Sequence, residues 1–115
     1  MQKTVLFVFN ADDMCFIHVL LNSLDMKEKG HEVGIVIEGA ATKLIPELVK
    51  EDHPLQELWA KAREQGLVYG ACRACSHKMG TLEDARDQGI ELLDDMSGHP
   101  SMAGFQHSGH EIITF

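Results

Sequence analysis

Residues 4–9 read TVLFVF, a six-residue run with a single polar member, Thr4, and no charge. Successive side chains of a strand point to opposite faces, so a run without polar alternation belongs to a strand covered on both sides. Six residues are also too few for a buried helix. A strand of this kind calls for a parallel sheet with helices packed on either face, and the spacing of the rest of the chain agrees.

Beyond Asn10-Ala11-Asp12-Asp13, the residues Ile17, Leu20, Leu21 and Leu24 recur at helical intervals; one aspartate can cap that helix and Gly30 can end it. Glu32–Ile37 (EVGIVI) reads as a second buried strand. After Gly39-Ala40-Ala41, the pairs Leu44/Ile45 and Leu48/Val49 predict a helix, and Pro54 suits the first position of another carrying Leu55, Leu58, Trp59 and Ala62. Leu67–Ala71 (LVYGA) is a third strand that runs into Cys72, with a short helix over Cys72–Met79 ended by Gly80. Thr81 and Asp84 mark a further helical start, closed by Gly89. Ile90–Leu93 makes a short fourth strand, Met96–Ser108 a long loop, and Glu111–Phe115 a fifth strand. The expectation is an α/β fold of three layers, α/β/α, with a mainly parallel five-stranded sheet in a single domain over residues 1–115.

The chain has 115 residues, 44% apolar and 24% charged, enough to bury a core without disulfides. Its 18 acidic and 10 basic side chains give a formal charge of −8. Such a surface repels phosphate backbones and anionic lipid, which argues against nucleic acid or a membrane as partner. The apolar opening is too short for a signal-peptide core, and no apolar run reaches membrane length, so the expected location is cytoplasmic. In that reducing setting Cys15, Cys72 and Cys75 are free thiols, redox centres or ligands rather than structural staples.

Chemistry concentrates in Cys72-Arg73-Ala74-Cys75-Ser76-His77-Lys78, where a strand turns into a helix. In doubly wound sheets, reactive groups gather beyond the carboxyl ends of the strands, which here puts Asn10–Cys15, Gly39–Thr42 and Cys72–His77 on one side. Backbone N–H groups at a helix start and the cations Arg73, His77 and Lys78 favour a thiolate at Cys72. That reading makes Cys72 the more acidic and faster-alkylated thiol, with Cys75 one turn further in.

With these residues the chain resembles the DsrE/DsrF-like sulfur-relay family. The resemblance covers length, opening strand and short polar turn, and above all LVYGACRACSHKMG, in which Cys72 and Gly80 hold the family's eight-residue spacing. It implies an α/β/α fold assembled as trimers or hexamers. It also implies sulfur carried as a persulfide on Cys72 between protein donor and acceptor; the C-x-x-C spacing adds Cys75 to Cys72 as a candidate catalytic residue, a resolving thiol for the persulfide. Here the helix after Cys72 carries Arg73, Cys75, His77 and Lys78, where relatives are small and apolar. Trp59, Met96, Met102 and Phe105 are apolar groups available to an interface.

Two other classes fit the same residues: a non-catalytic assembly subunit, and a thiol-based metal-binding or sensor protein. The metal reading has one C-x-x-C and needs Cys15 as a third ligand, which requires the first and third strands to be neighbours; no metal ligand is assigned. His99, His107 and His110 lie among glycines and read as a solvated loop in preference to a lid over the cysteine with one imidazole as proton carrier, and His18, His31 and His53 read as surface residues. The turn N-A-D-D-M-C lacks both the G-x-G-x-x-G pattern and a Walker lysine, so no dinucleotide or other cofactor is expected.

Overall fold

The computed structural model describes residues 2–115. Strands and helices alternate along them: β1 (Lys3–Val8), α1 (Asp13–Glu28), β2 (Glu32–Ile37), a 3-10 segment (Gly39–Leu44), α2 (Gln56–Glu64), β3 (Val68–Cys72), α3 (Arg73–Lys78), α4 (Leu82–Asp87), β4 (Leu92–Leu93), α5 (Met102–His107) and β5 (Glu111–Thr114). All five strands are parallel, in the order β4-β3-β2-β1-β5. The expected α/β fold with a five-stranded parallel sheet is therefore the one observed. Among the described residues, no helix is long and apolar enough to cross a membrane.

β1 lies inside the sheet, between β2 and β5, and Val5, Leu6, Phe7 and Val8 are fully buried. Leu6 and Val8, with Ile35 and Ile37 of β2, pack beneath Phe16, Val19 and Leu20 of α1 and Trp59 and Ala62 of α2. Val5, Phe7 and Val36 face the other way, under Met102 and Phe105 of α5. Burial on two faces is what the uninterrupted apolar run requires, since either face left wet would lose roughly 25 cal/mol per Å² of apolar surface. Asp12 caps α1 as expected, accepting from Met14 N at 2.7 Å.

Local departures have local causes. The helix expected from Leu44 to Val49 gives way to a 3-10 segment and turns, because Pro46 has no N–H to donate and obstructs a helix passing through it. Helix α2 begins at Gln56, two residues after Pro54. The expected loop 96–108 contains α5, whose cap Ser101 accepts from Gly104 N at 3.1 Å. Trp59 is only 2% exposed and packs against Phe16, so it belongs to the core and not to an interface. His18 is exposed as expected; His31 and His53 are half-buried, and His53 Nδ1 accepts from Leu55 N at 3.1 Å.

β3 carries one extra residue: Val68 and Gly70 pair with the successive residues Ile35 and Val36, leaving Tyr69 unpaired. The Tyr69 ring lies over Gly34 and stacks on Phe105 with ring centroids 6.0 Å apart. A methyl group at position 34 would overlap that ring. Gly34→Ala is expected to destabilise the protein by about 1–3 kcal/mol in urea titration. The double variant Gly34→Ala/Tyr69→Ala should lose less than the sum of the two single changes, since the clash and its partner disappear together.

Candidate functional site

Three adjacent strands deliver the site. Ile37 pairs with Ala71, so Glu38 leaves β2 at the level where Cys72 ends β3, and Cys72 pairs in turn with Leu93 at the end of β4. The chain beyond β4 then folds back over α3. Arg73 pairs with Asp94 at 3.2 Å, and Ala74 N donates to Gly98 O at 2.9 Å. Ser97 and Gly98 both adopt positive φ, 51° and 91°, a reversal that returns His99 toward Cys72. A Cβ at Gly98 would come within 3.3 Å of the Ala74 methyl, so the loop sits tightly on the helix.

The result is a cluster of Glu38, Cys72, Cys75 and His99, whose donor atoms all lie within 4.8 Å of one another. His99 Nδ1 is 3.1 Å from Cys72 Sγ, 3.9 Å from Cys75 Sγ and 3.7 Å from Glu38 Oε1. Cys75 N donates to Cys72 Sγ at 3.4 Å, and the Cys72 thiol points a weak hydrogen bond at Gly98 O, 3.8 Å away. Cys72 and Glu38 are buried, whereas Cys75 and His99 are half-buried and form the outer wall. Both cysteines of the pair are free thiols.

Electrostatics correct one expectation. Burial pushes the Cys72 thiol up to about 12; the Cys75 amide opposes this, while the Cys75 thiol and the Glu38 carboxylate add to it. Helix α3 has six residues, too short to supply a large terminal field, and the cations expected to help do not reach the sulfur. Arg73 is turned to Asp94, and His77 and Lys78 are exposed. Desolvation also raises Glu38, and the neighbouring Cys72 thiol and His99 imidazole pull it back. Cys72 is thus a buried neutral thiol beside an imidazole, not a pre-formed thiolate.

Cys15, expected near Cys72, does not join the cluster, because β2 separates β1 from β3 and the condition for Cys15 as a third ligand is not met. Glu38 is the residue that sequence reasoning missed, and His99 is the one of three loop histidines that it could not single out. Glu38 occupies the same place after β2 that Cys72 holds at the end of β3, a positional signal readable from the strand pattern. His99 had been grouped with His107 and His110. His107 is exposed, and His110 sits against Tyr69 and Phe105 near the amino ends of the strands, beside Glu32.

Residues 3–115 match the DsrE/DsrF-like family. An uncharacterized protein of Methanocaldococcus jannaschii is 33% identical over 96 residues, covering 84% of this chain and 76% of that protein. An uncharacterized protein of Archaeoglobus fulgidus is 42% identical over 41 residues, 36% of this chain and 67% of that one. A conserved protein of unknown function from Bacteroides thetaiotaomicron has a similar structure, with a TM-score of 0.67 at 19% identity over 99% of this chain and 95% of that one.

The electrostatics give an alkylation order opposite to the one the sequence suggests. At neutral pH iodoacetamide should modify half-buried Cys75 before Cys72 in reduced, chelator-treated protein. The Cys72 rate should go on rising with pH past the range where ordinary thiols level off. Glu38→Gln removes a negative charge that holds the proton on Cys72, so it should move that profile to lower pH, as read by peptide mass spectrometry.

Proposed function

The chain belongs to the DsrE/DsrF-like family, and on that premise we propose that it is a sulfur-relay protein that accepts sulfur as a persulfide on Cys72. The observation that carries this reading is the 3.1 Å contact between Cys72 Sγ and His99 Nδ1. A thiol held as high as that of Cys72 needs a base in contact with it to become a nucleophile, and the imidazole is placed for that task.

In the loading step the imidazole takes the Cys72 proton, and the thiolate attacks the outer sulfur of a donor persulfide. The new S–S bond forms as the donor S–S bond breaks, and the departing donor thiolate recovers a proton from the imidazolium. No net oxidation accompanies this transfer. The sulfur can leave by two routes. A partner thiolate can attack the outer sulfur and leave Cys72 reduced, or Cys75 can attack the Cys72 sulfur itself. The second route forms the Cys72–Cys75 disulfide and releases sulfide, so the two thiols are oxidised as the sulfane sulfur is reduced. The half-buried Cys75 and His99 mark the side from which a donor protein reaches Cys72. Trimers or hexamers remain the proposed assembly, with Met96, half exposed at 52%, among the apolar groups available to it.

Intact-protein mass spectrometry after incubation with a persulfide donor tests the assignment. Wild type should gain one sulfur, Cys72→Ser none, and Cys75→Ser should retain the gain longer. His99→Ala should load roughly a hundredfold more slowly, the usual scale of a lost general base. A gain that survives Cys72→Ser and disappears in Cys75→Ser would move the acceptor to Cys75. No gain in wild type would leave the assembly-subunit reading in its place.

A further inference from the structure

We propose that Glu38, Cys72, Cys75 and His99 form a binding site for one metal ion of the Zn²⁺ class. The proposal rests on the arrangement of the four groups and stands independently of sulfur carriage.

The first argument is one of hydrogen-bond capacity. His99 Nδ1 faces Cys72 Sγ, Cys75 Sγ and Glu38 Oε1 at 3.1, 3.9 and 3.7 Å. A ring nitrogen carries either one proton or one lone pair, so it can satisfy one of those three neighbours and no more. The distances to the other two exceed a hydrogen bond between nitrogen and oxygen or lie at its limit for sulfur. A cation between the four atoms satisfies all of them at once.

Size is the second argument. With metal–sulfur bonds of about 2.3 Å and metal–nitrogen or metal–oxygen bonds of about 2.0–2.2 Å, the edges of a tetrahedron run from about 3.4 to 3.8 Å. The three distances from His99 Nδ1 bracket that range, and the whole set closes within 4.8 Å. The widest separation has to close by up to about 1 Å to reach coordination, a movement within reach of the half-buried Cys75 and His99 side chains.

Chemistry selects the ion. Two thiolates and an imidazole suit Zn²⁺ and disfavour Mg²⁺ or Ca²⁺, which take oxygen. The C-x-x-C spacing of Cys72 and Cys75 is a familiar two-point clamp, and the Cys75 amide already donates to Cys72 Sγ, a contact that steadies a coordinated thiolate. Glu38 and Cys72 are buried, so this is not a chance gathering of surface carboxylates. All four tetrahedral positions come from the chain, from the ends of three adjacent strands. A filled site would occupy both thiolates and close Cys72 to alkylation and to sulfur.

Reduced full-length protein, stripped with chelator, is titrated with Zn²⁺ against a chromophoric chelator and separately with Co²⁺. One equivalent should bind. Co²⁺ should show thiolate charge-transfer and tetrahedral ligand-field bands, and Zn²⁺ should protect Cys72 and Cys75, but not Cys15, from iodoacetamide. His99→Ala and Cys75→Ser change half-buried positions, and circular dichroism confirms that they fold; each should weaken binding roughly tenfold or more, with Cys15→Ser unchanged. Absence of a stoichiometric complex, an octahedral Co²⁺ spectrum without thiolate bands, or tight binding indifferent to His99 and Cys75 would each overturn the proposal. Persulfide loading is read on the stripped protein, so either reading can fail while the other stands.

Discussion

Parallel pairing of β2, β3 and β4 sets where every reactive group of this molecule can be. In a parallel sheet the carboxyl ends of all strands lie along one edge, and the register decides which residues meet there. The Ile37–Ala71 and Cys72–Leu93 pairs fix three chain exits at one level. Glu38, Cys72 and the segment bearing His99 follow from that alignment. Sliding β3 by one residue against its neighbours would turn the Cys72 side chain to the opposite face, where Ala71 and Leu92 pack.

Burial and reactivity are set against each other at Cys72. The residue ends a strand and caps a helix at once, so its backbone is held by both elements and its side chain has no route into water. A longer helix would have offset some of that desolvation through its terminal field. With six residues it cannot, and burial, the Cys75 thiol and the Glu38 carboxylate keep the proton on the sulfur, with His99 in contact beside it. Control of the sulfur therefore rests on burial and neighbouring side chains more than on the helix.

The fold was legible in the sequence because hydrophobic periodicity is a local signal. TVLFVF and EVGIVI announce strands without help from any distant residue, and Asp12 and Gly30 announce the limits of a helix. Half of the candidate site was legible for the same reason, since Cys72 and Cys75 are neighbours in sequence. Glu38 and His99 join them only through strand order and through the reversal at Ser97-Gly98, and no local pattern encodes either. The ionisation of Cys72 was not legible because the charges adjacent in sequence, Arg73, His77 and Lys78, point away, while the burial that raises the thiol first of all, and the Glu38 carboxylate that adds to it, come from the folded arrangement.

One consequence concerns the order in which the chain is made. β1 has two partners at very different distances: Lys3 pairs with Glu32, but Thr4 pairs with Glu111. The first pairing is possible as soon as one βαβ unit has left the ribosome. The second must wait for more than seventy further residues beyond β2, while loop closure over that span is entropically slow to find. Throughout this interval the free edge of TVLFVF, which has neither charge nor proline, is an unpaired strand inside what will become the middle of the sheet. The nascent protein is most exposed to misassociation there, and arrival of β5 ends the hazard by hydrogen bonds such as Phe9 N to Phe115 O at 2.9 Å.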